Sequence, residues 1–192
     1  MENRSSFHEN LTLRNPTSAD GAALNLLVKQ SPPLDGNSVY CNLLQCSHFS
    51  ETSVAAVVDN TLVGFISGYF PPNTPNSLFI WQVVVAEKMR GSGLGKKMLN
   101  WIVNQPVCED VTSVCTTITA DNNASWGLFQ SFARDLGATA NKSLMFDRDL
   151  HFAGEHDDEY LLTLSPVALQ SVKSMQDHID DLKGNMRSRI AL

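Results

Sequence analysis

The sequence predicts a mixed α/β (α+β) fold, and three observations carry that expectation. Residues 78–85, Leu-Phe-Ile-Trp-Gln-Val-Val-Val, form an almost wholly apolar run, the pattern of a central strand covered on both faces. Residues 53–58 and 62–70 are β-branched-rich runs parted by Asp59 and Asn60, a hairpin signal that argues against an all-parallel doubly wound sheet. Leu94, Met98, Leu99, Ile102 and Val103 then recur at helical spacing directly after a glycine-rich turn. A length of 192 residues fits one domain with an appendage, since a domain takes about 150 residues.

From the N-terminus, residues 1–10 are polar and read as a flexible lead-in. Residues 11–14 suit a short strand, punctuated by Asn15-Pro16-Thr17-Ser18. Thr17 or Ser18 can cap a helix carrying Ala22, Ala23, Leu26 and Leu27, with Asp20 in its first turn. Ser31-Pro32-Pro33 stops that helix, because a proline disfavours the helical region for the residue before it. A second helix is expected over 38–48, with Tyr40, Leu43 and Leu44 along one side. Pro71-Pro72-Asn73-Thr74-Pro75-Asn76 is a loop. Beyond the helix of Leu94, residues 114–119 read as a strand, 125–136 as a helix closed by Gly137, and 160–164 as a last strand. Ser165-Pro166 has the form of a helix start, and Leu169, Val172, Met175, Ile179, Leu182 and Met186 follow at spacings of three and four. The expected organisation is a flexible N-terminus over 1–10, one domain over 11–165, and an amphipathic helical appendage over 166–192.

Composition excludes several classes. Lys and Arg number 14 against 20 Asp and Glu, a formal net charge of −6, so no excess positive field draws nucleic acid or an anionic membrane. No run approaches the roughly 18 apolar residues of a spanning helix. Residues 1–16 lack the charged-then-apolar order of a signal peptide. Cys41, Cys46, Cys108 and Cys115 form no Cys-x-x-Cys pair and read as reduced, packed thiols of a cytoplasmic protein.

The strongest chemical signal lies between Val85 and Leu99. Arg90-Gly91-Ser92-Gly93-Leu94-Gly95 joins an apolar strand to a helix; glycines let backbone approach a ligand, and a helix start offers unpaired N–H groups to an anion. A P-loop counted from Gly91 would need glycine where Lys96 stands, and the dinucleotide fingerprint wants Gly or Ala there too. What remains is Arg90-x-x-Gly93-x-Gly95. A tight turn with no ligand is the alternative, but three glycines in five residues weaken any structure that does not use them.

In that context, Arg-x-x-Gly-x-Gly resembles the acetyl-CoA signature of the GCN5-related N-acetyltransferases (GNAT), over roughly residues 11–165. The resemblance implies a central mixed, mostly antiparallel twisted sheet flanked by helices, and acetyl-CoA as cosubstrate. It implies that Val83, Val84 and Val85 form a splayed strand end whose backbone pairs with the pantetheine arm and polarises the thioester carbonyl. It also implies that Arg90, Gly91, Ser92, Gly93, Gly95 and Lys96 wrap the pyrophosphate. Asp121-Asn122-Asn123-Ala124-Ser125 is similar to the family's second cofactor segment, with Asn122 matching the Asn that contacts the cofactor arm; Asn122 and Ser125 also suit plain helix capping. The sequence departs from the pattern at Phe129, where the family often carries a Tyr that protonates the leaving thiolate. Tyr40 is a candidate for that proton and equally suits a packed aromatic.

A closer resemblance runs through Leu34-Asp35-Gly36-Asn37-Ser38-Val39-Tyr40, His48-Phe49, Thr52-Ser53-Val54, Gly64-Phe65-Ile66-Ser67-Gly68-Tyr69 and Leu78-Phe79-Ile80-Trp81-Gln82-Val83. Together these are similar to the L-2,4-diaminobutyrate N-acetyltransferases of ectoine biosynthesis. That resemblance implies acetyl transfer from acetyl-CoA to the γ-amine of L-2,4-diaminobutyrate, a product that another enzyme cyclises to ectoine, and a homodimer. Asp35 and Trp81 fall where the family builds its acceptor pocket, and the resemblance favours His156 and Glu159 as further substrate contacts. A diamino acid carries two ammonium groups, which carboxylates and aromatic faces suit. Asp35 equally suits a turn and Trp81 core packing. Asp157 and Asp158 read as solvated loop residues. No metal is expected, because four adjacent side chains cannot all face one ion from a strand.

The attacking amine has to be neutral, and a free aliphatic amine has a pKa of about 10 by analogy with lysine. A carboxylate acting directly or through water can take its proton, and Glu159 is the expected group. Direct attack in a ternary complex follows, since no cysteine has a neighbouring His to activate it. Two other readings stay open: an acetyltransferase of another small amine or of a protein N-terminus, and a non-catalytic acyl-CoA sensor, which Phe129 leaves room for.

Overall fold

The computed structural model describes residues 10–32, 34 and 36–167. Asp35, most of the N-terminal lead-in, and the appendage from residue 168 lie outside the described residues. Seven strands form one sheet: β1 (Leu11–Arg14), β2 (Val54–Val58), β3 (Thr61–Tyr69), β4 (Ser77–Val85), β5 (Ser113–Thr119), β6 (Thr139–Phe146) and β7 (Glu159–Ser165). Their order is β1-β2-β3-β4-β5-β7-β6. The β4–β5 pair is parallel and every other pair antiparallel, as the resemblance implied. The helices are α1 (Gly21–Lys29), α2 (Val39–Ser47), α3 (Leu94–Val103), α4 (Asn123–Leu136) and α5 (Arg148–Phe152).

Local chemistry explains most of these boundaries. Asp59 (φ 47°) and Asn60 (φ 61°) both take the left-handed conformation that a two-residue hairpin turn demands and that Asp and Asn tolerate. Ser38 Oγ accepts from the Cys41 N–H at 3.1 Å and starts α2. Asn122 Oδ1 accepts from the Ser125 N–H at 3.0 Å and starts α4, which Gly137 ends at φ 64°.

The sheet carries a layer on each face. On one, Leu94, Met98, Leu99 and Ile102 of α3 and Phe129 and Phe132 of α4 pack on Ile66, Leu78, Ile80, Val114, Ile118 and Leu162. Each such fully buried side chain contributes about 1.5–3 kcal/mol of transfer free energy. On the other, Leu24, Leu27, Val28 and Cys46 of α1 and α2 pack on Ala55, Phe65 and Val84. Beside that second layer an open groove of about 530 Å³ runs across Phe79, Cys115, Leu161 and Thr163, with Met145 at its far wall.

α2 buries Asn42, Gln45 and Cys46 rather than the expected side of Tyr40, Leu43 and Leu44, and α5 is an element the sequence did not mark. Two strand features also depart from the sequence reading. Residues 139–146 form β6, which the sequence did not mark: every residue of it is exposed, so no alternating apolar pattern exists to announce a strand. Ser165-Pro166 does not start a helix. Ser165 is the last residue of β7, held opposite Thr139, and the Val167 N–H donates to Thr112 O at 2.9 Å. Sheet register claims the backbone that the Ser-Pro signature would have given to a helix.

Candidate active site

The sheet opens at its middle. β4 and β5 pair from Ser77↔Ser113 to Ile80↔Thr116, and no pairing continues although β4 runs on to Val85 and β5 to Thr119. A bulge accompanies the split: Ser67 faces Gln82 and Gly68 faces Ile80, so Trp81 is an extra residue in β4. A bulge bends its strand, and here the bend turns β4 away from β5. The backbone of residues 81–85 therefore edges a wedge-shaped gap, the splayed end expected of Val83, Val84 and Val85.

The glycine turn lies just beyond. Gly91 (φ 72°) and Gly93 (φ 79°) are left-handed, and a Cβ on either would meet nothing within 4 Å. Their need for glycine is conformational, and the hollow they border is open. Gly93 immediately precedes α3, whose first N–H groups have no intrahelical acceptor and suit a phosphate. Ser92 Oγ donates to Met89 O at 2.6 Å, and the Arg90 guanidinium donates to Val85 O at 3.4 Å. Gly95 serves packing as well: a Cβ there would stand 3.3 Å from Leu128, so its absence lets α4 lie close to α3. The Lys96 side chain turns to α4, where Nζ pairs with Asp135 at 2.9 Å and approaches Ser131 Oγ at 3.3 Å. Across the gap, Trp126 Nε1 donates to Thr119 O at 3.0 Å, pinning α4 to the end of β5 and with it Asn122, whose Oδ1 is occupied by the cap.

Of the other predicted group, Trp81 and Glu159 lie on the face of the sheet opposite α3 and α4. Trp81 is 44% exposed and stands edge-on to Phe49 (6.2 Å) and Tyr69 (6.4 Å), with Tyr69 tilted against Phe79 at 5.3 Å. Phe49 and Tyr69 lie in segments that carry the closer resemblance, but nothing in the sequence marks either as part of a site. Glu159 opens β7 opposite Thr119 and is half-buried, with one carboxylate oxygen withdrawn from solvent. Strand alternation puts Glu159 on the face of Leu161 and Thr163, which line the same groove as Phe79. Trp81 and Glu159 thus flank the gap from its two sides.

Tyr40, 70% exposed on the first turn of α2, stands outside the aromatic cluster. His156 packs on Phe152 at 4.7 Å, and its Nδ1 lies 2.8 Å from Asp157 O. Asp158 accepts from the Arg148 N–H at 2.7 Å and Asp157 faces the Arg148 guanidinium at 3.5 Å, so both acids fasten the turn before β7 to α5. Burial pushes the Cys46 thiol up to about 12 and Cys108 up to about 11, and raises Cys41. Thiols so placed are poor nucleophiles near neutrality. Among the described residues, no cluster of His, Cys, Asp and Glu could hold a metal ion, and no helix is long and apolar enough to cross a membrane.

Residues 24–133 match the family model described as the acetyltransferase (GNAT) family. The L-2,4-diaminobutyric acid acetyltransferase of Methylotuvimicrobium alcaliphilum is 49% identical over 156 residues, 81% of this chain and 91% of that protein. The chain belongs to the GNAT acetyltransferase family. The protein of the same name from Vibrio cholerae is 47% identical over 148 residues, 77% of this chain and 86% of that one. A solved diaminobutyrate acetyltransferase from Paenibacillus lautus, in complex with its substrate L-2,4-diaminobutyric acid and coenzyme A, aligns with a TM-score of 0.78 at 33% identity, covering 81% of this chain and 95% of that one. Ard1 from Thermoplasma volcanium, at 16% identity and a TM-score of 0.65 over 81% of this chain and 98% of that one, shares the fold. In this GNAT chain Phe129 is 2% exposed within the α3/α4 core, so no hydroxyl is offered from that position.

Proposed function

We propose that this protein transfers the acetyl group of acetyl-CoA to the γ-amine of L-2,4-diaminobutyrate, giving N-γ-acetyl-L-2,4-diaminobutyrate, the compound a later cyclisation converts to ectoine. The observation that carries this reading is 41–49% identity, over most of both chains, to five proteins named for that acid. The split sheet supports it, because a thioester arm laid between β4 and β5 brings its carbonyl towards the face that bears Trp81 and Glu159.

On this reading the N–H groups at the start of α3 and the turn at Arg90, Gly91, Ser92 and Gly93 receive the pyrophosphate. The backbone of Val83, Val84 and Val85 pairs with the pantetheine amides. Asn122 contacts the arm through Nδ2, since its Oδ1 is committed to Ser125. Trp81, with Phe49 and Tyr69 behind it, offers an aromatic face to an ammonium group. Asp35, His156 and Glu159 contact the diamino acid, and Glu159 takes the proton of the attacking nitrogen directly or through water. The neutral nitrogen then attacks the acetyl carbonyl to give a tetrahedral intermediate, which collapses with loss of the C–S bond. The thiolate takes a proton from Tyr40 or water, and the second proton that the nitrogen sheds on becoming an amide restores that donor.

The protein is further proposed to be a cytoplasmic homodimer. Support for the dimer comes from β6, an edge strand exposed along its whole length that presents Leu144, Met145 and Phe146 to solvent. The test of function is release of CoA from acetyl-CoA with L-2,4-diaminobutyrate, 2,3-diaminopropionate, ornithine and lysine. One methylene more or less is worth about 10–200-fold in a fitted pocket, so kcat/KM is expected to peak at diaminobutyrate by at least about tenfold. Binding of acetyl-CoA without turnover of any amine would replace the enzyme reading with a sensor.

A further inference from the structure

We propose that a closed ring of amides, Asn25–Asn42–Gln45–Gln82–Asn37, buried at its α1, α2 and β4 members and closed through the Asn37 backbone, positions the acceptor side of the site and sets affinity for the amine substrate. The proposal rests on the assignment of the Trp81 side as the acceptor side.

The ring crosses four parts of the fold. Asn25 Nδ2 on α1 donates to Asn42 Oδ1 on α2 at 2.8 Å, and Asn42 Nδ2 donates to Gln45 Oε1 at 2.8 Å. Gln45 Nε2 donates to Gln82 Oε1 on β4 at 3.4 Å and to Ser67 Oγ on β3 at 3.2 Å. Asn37, in the segment joining α1 to α2, closes the circuit twice over: its Nδ2 donates to Gln82 Oε1 at 3.2 Å, and its backbone O accepts from Asn25 Nδ2 at 2.8 Å. Asn42 and Gln45 are fully buried, Asn25 is 4% exposed and Gln82 is 9% exposed.

Burial of so many amides calls for a reason. α1 packs on β3 and β4 through Leu24 and Leu27 against Phe65 and Val84, whereas α2 buries Asn42 and Gln45 beside Cys46, so the amides decide how α2 is seated. An amide left unpaired in that setting costs about 1–3 kcal/mol, which makes the ring an all-or-none arrangement with one permitted geometry. That geometry joins two pieces of the acceptor side. Gln82 is the neighbour of the bulge residue Trp81, and Asn37 lies two positions after Asp35. Through Gln82 Oε1, which accepts from both Asn37 and Gln45, Asn37 and α2 are tied to β4 beside the bulge. Asn37 is therefore a positioning residue, acting on substrate through Gln82 and the bulge at Trp81.

The test is steady-state kinetics of Asn37→Ala, Gln82→Leu and Gln82→Glu in the full-length chain. Loss of one such hydrogen bond is worth about tenfold, so Asn37→Ala is expected to raise KM for diaminobutyrate about tenfold, with KM for acetyl-CoA and kcat within about twofold. Gln82→Leu fills the space but accepts nothing and is expected to show the same rise. Gln82→Glu keeps both lone-pair acceptors and is expected to restore KM to within about threefold of the parent chain. An unchanged diaminobutyrate KM in Asn37→Ala, or an equal rise in both KM values, would overturn the proposal, as would identical behaviour of the two Gln82 variants. If the parent chain prefers another amine, the functional reading fails and the same comparison is made with that amine. If it acetylates none, hydrogen exchange at the Cys41 and Asn42 amides, which donate to Ser38, decides: acceleration in Asn37→Ala supports the ring, and unchanged rates reject it.

Discussion

The two sides of the central gap are built from different materials. On the proposed cofactor side the working groups are backbone: the edge of β4 over residues 81–85, the left-handed Gly91 and Gly93, and the first N–H groups of α3. On the proposed acceptor side they are side chains drawn from separate elements: Phe49 after α2, Tyr69 on β3, Trp81 on β4 and Glu159 on β7, with Asn37 and Gln82 proposed to hold the frame. Backbone groups recognise a constant ligand and depend on conformation more than on residue identity. Side chains recognise what varies among acceptors, a short diamino acid as against a longer one. The contrast implies that damage to one side should leave the other nearly intact.

The largest expected effect comes from the cofactor side. Gly93→Val places a β-branched residue at φ 79° and projects a side chain over the open cradle. Strain of about 1–3 kcal/mol combined with the obstruction is expected to raise KM for acetyl-CoA by about 100-fold, with KM for diaminobutyrate little changed. Calorimetric titration with CoA checks the same point without turnover. Next is Trp81→Ala, which removes the aromatic face and is expected to raise diaminobutyrate KM about tenfold while leaving the CoA dissociation constant within about twofold. A parallel loss of CoA affinity would mean that the bulge residue props the cofactor strand and that the two sides are not separate.

The smallest effect is one of stability, and it too is confined to one side. Arg14 grips Asp20 through two hydrogen bonds of 2.8 and 2.7 Å, tying β1 to the turn before α1. The guanidinium holds the Asp20 carboxyl below its ordinary range. A lowered native pKa means stability that is fully present above the unfolded value, about 3.9, and lost as pH falls through the native one. Asp20→Asn is expected to lower Tm by about 2–4 °C at pH 7, with the difference from the parent chain shrinking below about pH 4. Thermal melts across that range check it, and a difference that grows in acid would show the sign to be wrong.

The same division explains what could be read from the sequence. A backbone-made site needs glycines at fixed offsets, so Gly91, Gly93 and Gly95 announce it in five contiguous letters. The Asp59-Asn60 hairpin and the Gly137 helix end are legible for the same reason, being local conformational demands. The acceptor side has no such contiguity. Trp81 lies in an apolar run that says strand and nothing of a bulge, and Gln82 is the single letter in that run that contradicts a plain core strand. His156 and Glu159 entered only through resemblance, and the amide ring not at all, since its members are ordinary polar residues until folding brings them together. β6 is not legible because an exposed edge strand carries no apolar alternation, and the Ser165-Pro166 helix-start signature misleads because sheet register outranks it.

The central claim is that the gap presents the acetyl group to one particular nitrogen of the acceptor. It is tested most directly by NMR of the product formed from carbonyl-labelled acetyl-CoA and L-2,4-diaminobutyrate. The account predicts a single product with the label bonded through the γ-nitrogen. Acetylation at the α-nitrogen, a mixture of the two, or no transfer while acetyl-CoA remains bound would contradict it.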